Sequence, residues 1–370
     1  MPYIHQHKSW PKFVWRDAEL LPALAGVRYR EGLLLGRMQA LGFAFRSEAG
    51  LANLATEVIA SSAIEGIIFD PAGVRSSIAR RMGIAAADAP ASREVEGAVD
   101  MMIDATQCFS APLTAERLLG WQASLFPGGR SGLRRVRAGA WRTPEMDPMQ
   151  VVSGPIRDPI RRKNIHFEAP TADRIPAEVA SFLRWFEGQD PADWILRAAI
   201  AHLWFVTIHP FEDGNGRVSR AIADLALARA DGAELRFYSM SAQIEAEKKQ
   251  YYAMLESTQK GGLEITAWIR WFLDCLDRAL ARAEQSLAGI LRRSRAWERI
   301  NSGIAVNERQ RRVVNALLEG TGPEISTSRY AKLAGCSLDT ALRDIRALVA
   351  SGILTAGEAG GRSTRYRLED

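Results

Sequence analysis

Three consecutive runs decide how the chain reads. The first is Trp194-Ile195-Leu196-Arg197-Ala198-Ala199-Ile200-Ala201-His202-Leu203-Trp204-Phe205-Val206-Thr207. The second is Ile208-His209-Pro210-Phe211-Glu212-Asp213-Gly214-Asn215-Gly216-Arg217-Val218-Ser219-Arg220, and the third is Ala221-Ile222-Ala223-Asp224-Leu225-Ala226-Leu227. The outer runs are apolar and predict buried helices, which makes a rigid mount for the polar residues between them. Gly214-Asn215-Gly216 falls at a helix start. Two glycines permit unusual torsions and close approach there, so backbone N–H groups face outward. With the helix dipole behind them, these groups form a cradle for an anion.

The neighbouring residues fit the same chemistry. Arg217 and Arg220 lie on the first turn of the following helix, and arginine's planar fork suits phosphate oxygens. Asp213 stands at the cradle's edge, and one carboxylate together with phosphate oxygens is a usual way to hold Mg²⁺. His209, four residues earlier, titrates near neutrality and can take a proton from an incoming hydroxyl. Base, metal site, cradle and arginine clamps together point to transfer from a nucleoside triphosphate. Zinc hydrolysis fits poorly, because no second histidine is placed to ligate.

Size and composition set the frame. At 370 residues the chain predicts two or three domains, and 47% apolar with 25% charged residues is ordinary for a soluble globular protein. No apolar run approaches the ~20 residues of a membrane helix, and the N-terminus lacks a signal-peptide core. Cys108, Cys275 and Cys336 form neither a metal spacing nor a disulfide framework, which fits a cytoplasmic protein. A net charge of +5 permits phosphate contact and argues little for nucleic acid.

Taken in order, residues 8–30 predict an aromatic arm around Trp10, Phe13 and Trp15. Helices are expected over Arg30–Phe45 and over Ala49–Ile64, the latter closed by Glu65-Gly66 and carrying Ser61 and Glu65 on one face. Further helices are expected over Val74–Met82, Arg93–Cys108 and Thr114–Phe126. Pro127–Gly132 predicts a flexible loop. Gly139–Arg142, Met149–Pro155 and Ile165–Phe167 predict extended structure with a hairpin, and Thr171–Glu187 a return to helix. Ser241–Ser257 and Ile265–Ala283 predict helices, and a separate connector helix is expected from Glu284 to Ile300. Beyond Asn307 the pattern is a helix over Glu308–Leu318, a helix-turn-helix over Ser328–Ala350 and a hairpin wing.

The central string resembles the Fic family signature, H-P-F-x-D-G-N-G-R-x-x-R, at every specified position. The resemblance covers roughly residues 110–280. It implies a mainly α fold, in which an all-helical Fic core with a β-hairpin flap is joined by an N-terminal helical domain and a C-terminal winged-helix domain. The corresponding spans are 1–100, 101–285, a linker helix over 286–304, and 305–370. It also implies transfer of AMP from ATP to a Ser, Thr or Tyr hydroxyl of a target protein, the chain itself among the candidates. On that likeness His209 would be the general base and Asp213 the Mg²⁺ ligand. Gly214, Asn215 and Gly216 would line the anion hole, Arg217 and Arg220 would hold the phosphates, and Phe211 would be buried. Gln150, Val151, Val152, Ser153 and Gly154 resemble the flap that aligns a target by strand addition. Tyr251 and Tyr252 resemble the adenine-side pair, with Gln259 where an Asn is often found. Ser61-Ser62-Ala63-Ile64-Glu65-Gly66 is similar to the family's inhibitory helix, in which Glu65 would pair with Arg220 and deny it to the γ-phosphate. The N-terminal run with Val74–Ile84 also resembles an accessory domain of bacterial Fic proteins.

The C-terminal module offers Arg343 and Arg346 on its second helix and Arg362, Arg365 and Arg367 on its wing for DNA phosphates, diluted by Asp339, Asp344 and Glu358. Winged helices also contact proteins or pair into homodimers, and these readings stay open. A DNA-binding regulator with a nucleotide-sensing core is a rival to the transferase. An enzyme that removes AMP, or transfers another phosphate-containing group, is a second.

Overall fold

Helix caps and proline positions divide the chain before any packing is considered. The structure, a computed structural model, describes residues 2–39, 43–84, 88–153, 164–189, 192–301, 306–318, 324–357 and 364–368. It is mainly α-helical. In its first half lie α1 (Asp17–Gln39), α2 (Phe43–Ile64), α3 (Pro71–Met82), α4 (Arg93–Gln107) and α5 (Ala115–Leu125). Asp70, Ser92 and Thr114 cap α3, α4 and α5 by accepting backbone N–H bonds from Gly73, Val95 and Arg117. Two short hairpins follow, β1 (Arg130–Ser131) with β2 (Arg134–Arg135) and β3 (Gln150–Ser153) with β4 (Asn164–Glu168). In the second hairpin Val152 faces Ile165 and Ser153 faces Asn164.

Next come α6 (Ile175–Glu187), α7 (Trp194–Ile208), α8 (Asn215–Asp231), α9 (Met240–Ala246), α10 (Lys248–Gln259) and α11 (Thr266–Asn301). Every residue of α7 from Ile195 to Ile208 is buried, and α8 packs against it with Val218, Ala221, Ile222 and Leu225 inward. This pair is the centre of the first compact unit, Met1–Gln39 with Arg46–Ala283. The second unit is Ala40–Phe45 with Glu284–Asp370. It holds α12 (Glu308–Leu318), β5 (Ile325–Ser326), α13 (Thr327–Ala334), α14 (Leu338–Ala350), β6 (Leu354–Ala356) and β7 (Arg365–Leu368). Its three strands run in the order β5-β7-β6 over a core of Val313, Val314, Tyr330, Ala341, Ile345 and Leu354. Gly335, at φ 65°, turns α13 into α14, and Arg343 and Arg346 stand exposed on α14. Glu358 and Arg362 lie outside the described residues.

Several expectations need correction. The arm stops at Arg16, where Val14 exchanges backbone hydrogen bonds with Leu263 and Ile265 at 2.9 Å each. Helix α1 then runs from Asp17 straight through Pro22, because Leu20, Val27, Leu34 and Met38 form one inward stripe on both sides of it. The span 241–257 is two helices broken at Glu247, whose carboxylate is held by Arg278 at 2.6 and 2.7 Å. The separate connector is instead a continuation of α11, since nothing between Thr266 and Asn301 stops a helix except a lone glycine. Gly139–Arg142 forms no strand, the loop at Pro127–Gly132 contributes to β1, and β5 escaped the reading altogether. Among the described residues no helix is long and apolar enough to cross a membrane.

Candidate functional site

The α7–α8 turn carries the signature residues, and its shape comes from a strained histidine. His209 caps α7 in the left-handed region (φ 50°, ψ 57°), the sole non-glycine residue with positive φ among those described. Such a conformation costs roughly 1–2 kcal/mol for an L-residue, so the surroundings must hold it. Asn215 is one holder: its side chain accepts from the Phe211 N–H at 2.9 Å and donates to the Phe211 carbonyl at 2.8 Å. Gln122 is another, donating to the Asp213 carbonyl at 3.3 Å. Phe211 is fully buried, stacked on Trp141 at 4.9 Å between ring centres.

The histidine's protonation follows from its neighbours. Nδ1 lies 3.2 Å from the Val206 carbonyl, which can only accept, so Nδ1 carries the proton and Nε2 keeps its lone pair. Burial, helped by the charge of Arg142, pulls the imidazole's pKa down to about 4, against the Val206 bond and the charges of Glu65 and Asp213. The ring is therefore a neutral acceptor at ordinary pH.

Gly214 caps the start of α8 at φ 91°, where a side chain would press on Phe126 at 3.0 Å. Asp213 lies beside it, one oxygen accepting the Gly214 N–H at 2.6 Å. Arg217 is buried over the Phe126 ring at 5.0 Å, with its Nε lacking a hydrogen-bond partner. Arg220 is 2% exposed and held through Nε and Nη2 by Ser61 and Glu65, while its buried Nη1 lacks a hydrogen-bond partner. Its Nε donates to Ser61 Oγ at 3.0 Å, and Nη2 donates to the Ser61 carbonyl at 2.7 Å and to Glu65 Oε1 at 2.9 Å. The Glu65 carboxylate rests on the helix start itself: a Cβ placed on Gly216 would come within 2.1 Å of Oε1. An anion thus sits where the sequence predicts one to bind. Gly66, at φ 79°, ends the helix behind it.

The remaining candidates divide. Tyr252 is 40% exposed and reaches the Ile64 carbonyl at 3.4 Å, next to Glu65. Tyr251 and Gln259 are both buried within the helical core, with Tyr251 lying against Arg220. The Tyr251 hydroxyl is paired with His202 Nε2 at 2.9 Å, and Gln259 donates to Thr207 at 3.2 Å. Asn215 keeps only its backbone N–H for an anion, since its side chain is spent on the loop. Val151 and Val152 are exposed on β3, and His166 of β4 is tied to Glu256 at 2.7 Å. Ser153 closes β3, while Gly154 lies outside the described residues. Sequence reasoning missed Trp141, Arg142 and Gln122, which grip the loop from other elements. The signal available was an aromatic–arginine pair just ahead of the hairpin, taken for a strand.

Asp213 suits Mg²⁺. Among the described residues no group of three or more His, Cys, Asp or Glu side chains is gathered to hold a metal, so a protein-only cage is absent. One carboxylate beside an anion cradle is the donor set of a cation shared with phosphate oxygens.

Residues 112–227 match the Fic/DOC family, and residues 3–84 match a domain of unknown function, DUF4172. The protein adenylyltransferase Fic of Drosophila mojavensis is 36% identical over 83 residues, covering 22% of this chain and 15% of that protein. Its counterpart in Culex quinquefasciatus is 32% identical over 111 residues, covering 28% of this chain and 21% of that protein. The chain therefore spans about a fifth or less of the length of these relatives. A Fic family protein from Desulfovibrio desulfuricans shares the fold at a TM-score of 0.54 and 21% identity, over 94% of this chain and 96% of that one. A Fic domain containing signaling protein from Bacteroides thetaiotaomicron does so at 0.51 and 18%, over 70% and 97%.

Proposed function

Because this chain is a Fic-domain protein, we propose that it is a protein adenylyltransferase, moving AMP from ATP to a protein hydroxyl and held off by its own Glu65. The observation that carries this reading is the Glu65 carboxylate seated on Gly216 and paired with Arg220 at 2.9 Å. The N-terminus of α8 is an anion site, and the anion now in it is one that ATP phosphates would have to replace. The neutral His209 stands at the same turn as the base.

In the proposed reaction the target hydroxyl oxygen attacks the α-phosphorus and a new P–O bond forms. The bond to the β-phosphate oxygen breaks, pyrophosphate leaves, and the hydroxyl proton passes to His209 Nε2. Gly214–Gly216 would meet phosphate oxygens through backbone N–H groups, and Arg217 would bring them a buried charge. Asp213 would hold Mg²⁺, which when bound neutralises phosphate charge. The hairpin offers its β3 edge, with Val151 and Val152, for an added strand from the target.

ATP labelled at the α-phosphate tests this directly. Protein-bound label should rise in Glu65→Gly over wild type and vanish in Glu65→Gly/His209→Ala, while γ-labelled ATP should leave no label on protein. Label that survives loss of His209 sinks the reading. A second reading concerns the C-terminal unit, where exposed Arg343 and Arg346 on α14 and Arg365 and Arg367 on β7 favour contact with DNA phosphates. A gel shift with genomic fragments that is lost in Arg343→Ala/Arg346→Ala would support it, and no shift at low salt would remove it.

A further inference from the structure

One buried arginine joins parts of the site that no sequence motif connects. Arg142 donates from Nε to the His209 carbonyl at 2.9 Å, and its backbone N–H donates to the Pro210 carbonyl at 2.9 Å. From the same guanidinium, Nη1 donates to Asp147 Oδ1 at 2.6 Å and Nη2 to the Pro170 carbonyl. Asp147 lies just ahead of β3 and Pro170 just beyond β4, so both feet of the hairpin are tied to one side chain. The other Asp147 oxygen accepts the Ala172 N–H at 2.8 Å, which fixes the exit side again. The Arg142 side chain has no solvent exposure. Beside it, Trp141 lies on the ring of Phe211.

Burying a guanidinium is costly unless its donors find acceptors. Here three of its nitrogens point in three directions, to a histidine carbonyl, a carboxylate and a proline carbonyl. A lysine ammonium, a compact charge on a flexible stem, would not span that spread. The carbonyl it takes from His209 belongs to the strained peptide at φ 50°. Were that residue to relax to an ordinary conformation, the imidazole would leave its place over the turn.

We infer that Arg142 is a positioning residue for proton transfer, holding the His209 backbone in its left-handed conformation and locking it in register with both feet of the β3–β4 hairpin. The inference rests on the adenylyl-transfer reading for its chemistry, and its geometry stands apart from it. A supporting effect is electrostatic: the guanidinium charge disfavours the imidazolium form. Asp147 offsets part of that charge and leaves the sign unchanged.

The experiment uses the full chain carrying Glu65→Gly, with Arg142→Lys or Arg142→Gln added. Label transfer is measured against ATP concentration and pH. In both variants kcat should fall between about tenfold and about a hundredfold, the scale of a misplaced reacting group. KM for ATP should stay within about twofold, because the cradle is untouched. The acid limb of kcat should move to higher pH in Arg142→Gln, which loses the charge, and stay in place in Arg142→Lys. A fall confined to KM for ATP, or an unchanged kcat, would overturn the inference, as would an unmoved limb in Arg142→Gln. If Arg142→Gln does not fold, kcat of Arg142→Lys decides. An activity-free measurement separates this inference from the transfer reading. The His209 imidazole, isotope-labelled for NMR, should give one sharp set of resonances in the parent and broadened or doubled ones in Arg142→Lys. If the Glu65→Gly parent transfers no label, the transfer reading fails and the resonances alone judge Arg142. Unchanged resonances overturn it.

Discussion

Replacing Glu65 by glycine isolates the carboxylate that rests on the cradle. Arg220 makes three hydrogen bonds to the end of α2 and the turn after it, two to Ser61 and one to Glu65, and the bond to Glu65 alone pairs it with an opposite charge. A hydrogen bond to a charged group is worth about 1.5–3 kcal/mol. Because the Glu65 side chain is 33% exposed, water screens the pair and the lower part of that range, ~1.5–2 kcal/mol, applies. At about 1.4 kcal/mol per decade, the balance between blocked and open cradle should shift by roughly 10- to 30-fold. Initial rates of label transfer from α-labelled ATP should rise by that factor. Ser61→Ala provides the graded control, since it removes the Nε bond and leaves both other acceptors. A neutral acceptor is worth about 0.5–1 kcal/mol here, or a two- to fivefold rise. Equal rates in wild type and Glu65→Gly would refute the reasoning. So would a Ser61→Ala rate above that of Glu65→Gly, because the lock would then lie in the hydroxyl rather than the carboxylate.

Three further outcomes follow from the site. In the Glu65→Gly background transfer should stay level from about pH 8 to about pH 5 and fail only near or below about 4, because His209 must be neutral to act and loss of the Glu65 charge lowers its pKa further. A limb near 6.5, the ordinary histidine value, would show an imidazole open to water. Asn215→Ala should lower unfolding free energy by about 2–4 kcal/mol in chemical denaturation, since both polar groups of Phe211 lose their partners, and Asn215→Asp should not restore it because a carboxylate cannot donate to the Phe211 carbonyl. Tyr251→Phe should cost about 1–2 kcal/mol through the lost bond to His202 and leave ATP-dependent labelling within about twofold, whereas a large rise in KM for ATP would assign Tyr251 to the nucleotide site.

What the sequence made legible was local. The helix–turn–helix around His209 and the anion cradle at Gly214–Gly216 each depend on residues within a few positions of one another. The same holds for the caps of α3, α4 and α5. Longer reach was legible once, for Glu65 and Arg220, because helical spacing put Ser61 and Glu65 on one face and the family resemblance named their partner. Arg142 was not legible, since its target carbonyl lies 67 residues away and a backbone acceptor leaves no mark on composition. Tyr251 and Gln259 could not be placed from the sequence for a related reason. Their spacing on α10 is compatible with a binding face or a core face, and only the positions of His202 and Thr207 on α7 decide between them.

The geometry of α2 explains why the lock is aimed so well. Glu57 and Ser61 on α2 and Glu65 in the turn that closes it are spaced four apart, and Asp224, Arg220 and Gly216 are spaced four apart on α8. They meet in that order as rungs. Glu65 rests on Gly216 and reaches Arg220, and Ser61 holds Arg220. Glu57 lies beside Asp224, where burial first and then the Glu57 charge raise the Asp224 pKa to about 7. Glu57 is itself fixed by Ser239 Oγ at 2.6 Å and the Ser241 N–H at 3.1 Å, and Asp224 accepts from Arg236 at 2.5 Å. The third rung is thus anchored in the core, away from the cradle, and sets the register of α2 along α8. A one-residue slip would turn all three side chains off the contact face together. Opening of the cradle is therefore best met at the last rung, where Glu65 alone can swing into solvent while Ser61 and Glu57 keep the helix in place. On the proposed function, ATP entry would require only a side-chain movement, and the graded response of Glu65→Gly over Ser61→Ala is its measurable signature.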